Sequence, residues 1–167
     1  MGDFKKNGLA PLIGESPEIL ILGSLPGDES LRLQQYYGNP RNMFWRVMAK
    51  VFGETVPDDY SGKSEFIKSH GIALWDVFSA AEREGSLDAN IRGEEYNDLA
   101  GLLGSNPTIR TVVLNGGKAE KAFRTYARRH AMPEGILVLA FTSTSMMSLS
   151  AGWDLDRISR QWEGMLQ

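Results

Sequence analysis

I-L-I-L-G-S-L-P-G-D-E-S-L-R-L-Q-Q-Y-Y-G-N-P-R-N-M-F-W-R-V-M-A-K-V runs from Ile19 to Val51, and the architecture follows from it. Ile19-Leu20-Ile21-Leu22 is a short unbroken apolar run, the pattern of a strand covered on both faces. Gly23, Pro26 and Gly27 stop that strand and let backbone approach another group closely. Tyr36-Tyr37-Gly38-Asn39-Pro40 is broken by Gly38 and Pro40, so an aromatic loop is expected there. Pro40 suits the first turn of a following helix. In that helix Phe44, Val47, Met48 and Val51 recur at helical spacing and face the core.

Outward from this unit the alternation repeats. Gly71 to Phe78 is a second apolar strand segment, and Thr111-Val112-Val113-Leu114 carries the strongest β signal. Gly135 to Phe141 is the fourth strand. Between them lie a helical turn at Glu65–Lys68 and a helix marked by Tyr96, Leu99, Leu102 and Leu103, ending near Gly104 and Pro107. Gly116-Gly117 opens a helix with Ala119, Ala122, Phe123 and Tyr126 on one face. A last helix turns Leu155, Ile158, Trp162 and Met165 inward. Ala81–Asn90, rich in charge and small residues, is expected to be an exposed loop. Strands alternating with helices argue an α/β fold: a three-layer α/β/α sandwich on a central, mainly parallel four-stranded sheet. Residues 1–167 form one domain, with 1–17 as an N-terminal arm or tail.

The 167 residues suffice to bury a core without covalent staples. The absence of cysteine excludes disulfides and cysteine-ligated zinc or iron–sulfur sites. No apolar run spans a bilayer, and the N-terminus lacks a signal-peptide core. A cytoplasmic, nucleoid-associated monomer without cofactor or metal is expected. His70 and His130 show no metal-ligand spacing. The net charge of −3 does not advertise a nucleic-acid binder, so clustering of basic residues matters more than their sum.

An open α/β sheet takes its ligands beyond the carboxyl ends of its strands, here in the loop after Leu22. That loop has no Lys-Ser/Thr at phosphate-loop spacing. Two tyrosines and an asparagine suit a flat, polar, uncharged group such as a nucleobase. Gly23-Ser24-Leu25-Pro26-Gly27 is not G-x-S-x-G, which argues against a serine-hydrolase elbow at Ser24.

G-S-L-P-G followed by Y-Y-G-N-P-R-N-M-F-W resembles the first motif of the uracil-DNA glycosylase superfamily, closest to its hypoxanthine-DNA glycosylase (DNA-deoxyinosine glycosylase) branch. G-I-A-L-W-D-V-F, G-S-L-D-A-N-I, L-N-G-G-K and F-T-S-T-S resemble the same branch, so the resemblance runs from about Glu18 to Trp162. It implies DNA containing a deaminated base as partner, and base flipping before the N-glycosidic bond is cut. It places Tyr37 as the stacking platform, a contact worth about 1–3 kcal/mol. It makes Asn39 the catalytic residue. An amide does not titrate near neutrality, so Asn39 orients a water and the transition state is strongly dissociative.

The departing base needs hydrogen bonds, expected from Gly23, Ser24, Leu25, Pro26 and Gly27 and from Ser143, Thr144 and Ser145. Leu25 stands near where other branches carry an acidic or amide residue. Phe141 and Thr142 stand where they carry His or Asn and then proline. Met146-Met147 departs from the Pro-Ala-Asn of the hypoxanthine branch. Met146 and Met147 suit a wedge into the base stack, or packing beneath the last helix. Arg41 and Lys118 are the expected phosphate contacts, Lys118 heading a basic face with Lys121, Arg124 and Arg128. Asn42 shapes the motif.

The expected activity is monofunctional excision in base-excision repair, hypoxanthine first and uracil or xanthine next. With no titrating group in this set, the rate should be flat from about pH 6 to 9. The rival is a non-catalytic nucleic-acid or nucleotide-binding module on the same fold. A small-molecule hydrolase lacks a nucleophile–base pair.

Overall fold

The computed structural model describes residues 4–166. Its central sheet is built from β2 (Ile19–Gly23), β3 (Ile72–Asp76), β6 (Thr111–Asn115) and β7 (Leu137–Phe141), all parallel, in the order β3-β2-β6-β7. Register is continuous: Leu22 opposes Trp75 and Leu114, and Gly23 opposes Asp76. Side chains alternate across a strand, so Ile21 and Leu20/Leu22 serve two different cores. Ile21, Leu74 and Val113 pack with helices α2 (Phe44–Phe52), α3 (Tyr60–Ser69) and α7 (Leu155–Trp162). Leu20, Leu22, Val112 and Leu114 pack with α4 (Leu99–Ser105) and α5 (Gly117–Arg129). A single turn, α6 (Met147–Ser150), sits between β7 and α7. This is the three-layer α/β/α sandwich the alternation implies. Asp59, Asp98 and Asp154 cap α3, α4 and α7 by accepting from backbone N–H groups at 3.0, 3.0 and 2.8 Å.

Several local readings are corrected. The stretch after Gly27 is not all loop: Asp28–Leu33 is a short helix, α1, that carries the chain toward the tyrosines. The helix after the tyrosines, α2, does not start at Pro40 but at Phe44, because Asn39–Asn42 forms a turn closed by Asn42 N–H to the Asn39 carbonyl at 2.9 Å. Asn42 Oδ1 then accepts from Phe44 N–H at 2.9 Å and sets the helix entry. Glu65–Lys68 lies within the longer α3. Tyr96 is in a strand, not a helix.

The segment from Ala81 to Asn90 is corrected most. A second, antiparallel sheet joins β1 (Lys5–Asn7), β4 (Phe78–Glu82) and β5 (Arg92–Tyr96), with β4 in the middle. Ala81 within β4 and Arg83 just past its end are buried, Arg83 only 1% exposed. The arm is therefore ordered from residue 4 onward: Lys6 pairs with Ala81, and Leu12 bridges to Leu74. Residues 1–3 of that arm lie outside the described region. No helix among the described residues is long and apolar enough to cross a membrane.

Candidate active site

A cleft of about 420 Å³ opens at the carboxyl ends of β2, β3 and β6. Its size falls within the range of small-ligand sites. Strand ends supply the floor: Gly23 from β2, Asp76 from β3 and Asn115 from β6. Ser24 to Ser30, the tyrosine loop, the Ser86–Asp88 turn and the Ser143–Met147 loop form the walls.

Tyr37 is held from three directions. Its ring stacks on Phe44 with centroids 3.9 Å apart and planes 18° from parallel. Its hydroxyl accepts from Asn115 Nδ2 at 3.1 Å. Its backbone sits in the left-handed region at φ 54°, uncommon for a bulky residue and costly by about 1–2 kcal/mol. Burial, then the nearby Asp76 charge, hold its phenol well above the usual tyrosine range, so it stays protonated. Its neighbour Tyr36 turns the other way: it is buried, and its hydroxyl donates to the Ala10 carbonyl at 2.7 Å.

Asn39 stands exposed on the cleft wall. Its Oδ1 accepts from Arg41 N–H at 2.9 Å, so the side chain builds the turn before Pro40 as well as facing the cleft lining. A second lone pair on that oxygen and both amide hydrogens remain for a ligand or water.

The last loop is wired to the first motif through Thr144, which has no exposure. Its hydroxyl donates to Asn42 Oδ1 at 2.8 Å and accepts from Asn115 Nδ2 at 3.1 Å. Its N–H donates to Asn115 Oδ1 at 3.0 Å, and its carbonyl accepts from Met43 N–H at 2.8 Å. Every polar atom of Thr144 is thus engaged, and the residue joins three walls rather than offering a hydroxyl to a base. Ser143 Oγ accepts from Ser145 N–H at 3.1 Å. Gly116 must lack a side chain, since a Cβ there would lie 2.9 Å from Ser143 Cβ at φ 96°.

The G-S-L-D motif, expected within an exposed loop, is a clamp made by Ser86 and Asp88. Ser86 Oγ accepts from Asp28 N–H at 3.0 Å, at the start of α1. Asp88 Oδ1 accepts from Ser24 Oγ at 2.7 Å. Buried Arg83 donates to the carbonyls of Gly85 and Pro26 and lies 3.8 Å from Asp88. Together they hold Ser24–Gly27 in place.

Asp76 is the residue that the sequence reading gave no role. It is 6% exposed, and Oδ2 is sealed from solvent with no hydrogen-bond partner among the described residues. Burial, and secondarily the charge of Asp88, push its carboxyl up to about 7 against the opposing pull of Arg83. The clue available in sequence was a polar residue ending an apolar strand, in L-W-D; Asn115 in V-L-N follows the same rule.

Of the expected site residues, Gly23 to Gly27, Tyr37, Asn39, Arg41, Ser143 to Ser145, Met146 and Met147 all line this cleft. Met146 and Met147 are 40% and 53% exposed, and so is Leu87 at 52% on the Ser86–Asp88 turn. Lys118 is not among the lining residues: it pairs with Glu94 at 3.5 Å and lies 5.8 Å from the Phe78 ring. No cluster of three or more metal-ligating side chains exists among the described residues.

A hypoxanthine DNA glycosylase of Methanosarcina acetivorans is 50% identical over 115 residues, covering 68% of this chain and 73% of that protein. One from Methanosarcina barkeri is 40% identical over 153 residues, covering 90% and 96%. The solution NMR structure of a Methanosarcina acetivorans protein assigned to the uracil DNA glycosylases superposes with a TM-score of 0.81 at 40% identity, covering 96% of this chain and 95% of that one. The model of the uracil DNA glycosylase superfamily matches residues 10–163, and the chain belongs to that superfamily.

Proposed function

We propose that this DNA glycosylase removes hypoxanthine from DNA, with uracil and xanthine as secondary bases, after rotating the damaged nucleotide out of the duplex. The observation that carries the reading is the Tyr37 platform. It is stacked on Phe44, pinned by Asn115 and set in a cleft that also holds Asn39. The relatives named for hypoxanthine support the choice of base.

In this reading the extruded base stacks against Tyr37. The sugar–base bond breaks with its electron pair leaving on the base, and the sugar passes through an oxocarbenium-like state. Asn39 orients the water that captures the sugar, through Oδ1 and its amide hydrogens. It takes no proton. Among the described residues no lysine lines the cleft, which supports a monofunctional reaction that leaves an abasic site uncut. The protein acts as a monomer on DNA.

The test is a panel of labelled duplexes bearing hypoxanthine, uracil or xanthine, with alkaline cleavage to reveal abasic sites. Strand breaks after alkali on the hypoxanthine duplex are expected. Tight binding with no abasic site on any lesion would make the protein a binding module instead. Asn39→Ala should lower single-turnover excision by about 100-fold or more while duplex binding changes little. Parental rates in that variant would remove Asn39 from the chemistry.

A further inference from the structure

The chain has seven methionines and no cysteine, so thioether is its sole form of sulfur. Burial divides the described methionines sharply. Met43, Met48 and Met165 are at most 2% exposed and belong to the core. Met132 is half-buried against the core on the α5 side of the sheet. Met146 and Met147 are exposed, adjacent in sequence, and both line the cleft at its mouth. The turn that carries them is held by serines and backbone rather than by their side chains. Ser148 N–H donates to the Ser145 carbonyl at 3.0 Å, and Leu149 N–H to the Met146 carbonyl at 3.1 Å. Ser148 Oγ donates to the Ser143 carbonyl at 2.7 Å, and Ser145 Oγ accepts from Met147 N–H at 3.3 Å. A chemical change at the two sulfurs therefore leaves the loop in place and alters only what it presents.

We propose that Met146 and Met147 form a reversible modification site, at which a peroxide converts the thioethers to sulfoxides and thereby suppresses excision from duplex DNA. This control rests on the glycosylase reading above and acts on the same cleft. In the forward step a sulfur lone pair attacks one oxygen of hydrogen peroxide. The O–O bond breaks, an S–O bond forms, and water leaves; sulfur loses two electrons and the peroxide gains them. In the reverse step a sulfoxide reductase draws two electrons from a pair of thiols, which become a disulfide, and the oxygen departs as water.

The product differs from the parent in the property that the mouth of the cleft uses. A thioether is a flexible apolar tip, whereas a sulfoxide is polar and carries an oxygen that accepts hydrogen bonds. Between stacked bases that oxygen meets ring faces and no donor, so entry costs it the desolvation of a polar group. Outside a stack the oxygen stays in water and the cost vanishes. Oxidation therefore acts on duplex and spares a single strand. Leu87, across the mouth and 52% exposed, has no sulfur to oxidise, which leaves a residual rate on duplex. The core methionines are shielded by burial, so the same dose leaves the fold intact.

The test treats the folded full chain with graded hydrogen peroxide and maps sulfoxide at each methionine by peptide mass spectrometry. Single-turnover excision of hypoxanthine is then measured on a duplex and on a single strand, with a thermal melt of each sample. The parent is compared with the double variant Met146→Leu/Met147→Leu, each against its own untreated rate. Sulfoxide should form at Met146 and Met147 before Met43, Met48 and Met165. With it the parent's duplex rate should fall about tenfold or more, while its single-strand rate and melting temperature hold. A sulfoxide reductase with a dithiol should restore the duplex rate, and the double variant should keep its own duplex rate through the same dose. Earlier oxidation of the core methionines, an unchanged duplex rate once both sites are sulfoxide, or an equal loss in the double variant overturns the proposal while leaving the glycosylase assignment intact. A parallel fall of both rates and the melting temperature does the same, since it marks unfolding. An untreated parent that excises no lesion from either substrate overturns the assignment, and the proposal with it.

Discussion

At the scale of single residues, Asp76 makes stability depend on pH. In the unfolded chain an aspartate titrates near about 3.9; in the fold burial raises that to about 7. Between those values the folded state keeps a proton that the unfolded chain has released. Stability therefore falls as pH rises across that window and levels off above it. Asp76→Asn removes the titration. It should stabilise the protein at about pH 8 by about 2–4 kcal/mol relative to the parent, with little gain at about pH 4.5. Thermal melts of both proteins at the two pH values check this. An equal Tm difference at both would mean that the carboxyl is not held protonated.

At the scale of elements, the antiparallel hairpin is what shapes the first motif. Arg83 reaches from the end of β4 to the carbonyls of Leu25 and Pro26, and Asp88 ties Ser24 to the same turn. Arg83→Met would fill the space but leave those carbonyls and Asp88 without their cation. Asp88 is itself half-exposed, so the main loss is the donor to buried carbonyls, a cost of about 1–3 kcal/mol, or roughly 2–12 °C in Tm for a domain of this size. The Ser24–Gly27 turn should loosen with it, so weaker binding of lesion-bearing duplex is expected alongside the lower Tm. Unchanged melting and binding would mean that the turn holds itself.

The hairpin is also where sequence failed as a guide. The central strands β2, β3 and β6 were legible because each is a run of apolar residues buried on both faces, and α2 because Phe44, Val47, Met48 and Val51 keep one face. β4 and β5 are as long as the central strands, but β4 is built of small and polar residues after Phe78 and β5 is largely exposed, so no apolar run marks them. Burial of Arg83 depends on carbonyls from a turn far away in the chain, which no local pattern reports. Tyr37 and Asn39 were legible through a long motif. Asp76 and Asn115 were hidden as single polar letters at strand ends, where only the assembled sheet brings them together.

At the scale of the whole molecule, a net charge of −3 leaves attraction to DNA to local clusters of basic residues. Among the residues lining the cleft only Arg41 is basic, and Lys118 is tied to Glu94. What the mouth does offer is apolar: Leu87 on one wall, Met146 and Met147 on the other, all at least 40% exposed. Apolar tips of this size can enter a base stack and hold open the gap left by a flipped nucleotide, offsetting unstacking that costs a few kcal/mol. Their benefit exists only where there is a stack to fill. Met147→Ser should therefore slow excision from a duplex by about tenfold or more while leaving excision from a single strand nearly unchanged, and its exposed position predicts a Tm within about 1–2 °C of the parent. Rates on the two substrates, measured side by side, decide between this role and simple packing. If the methionine only packs beneath α7, both rates should fall together and the melting temperature with them.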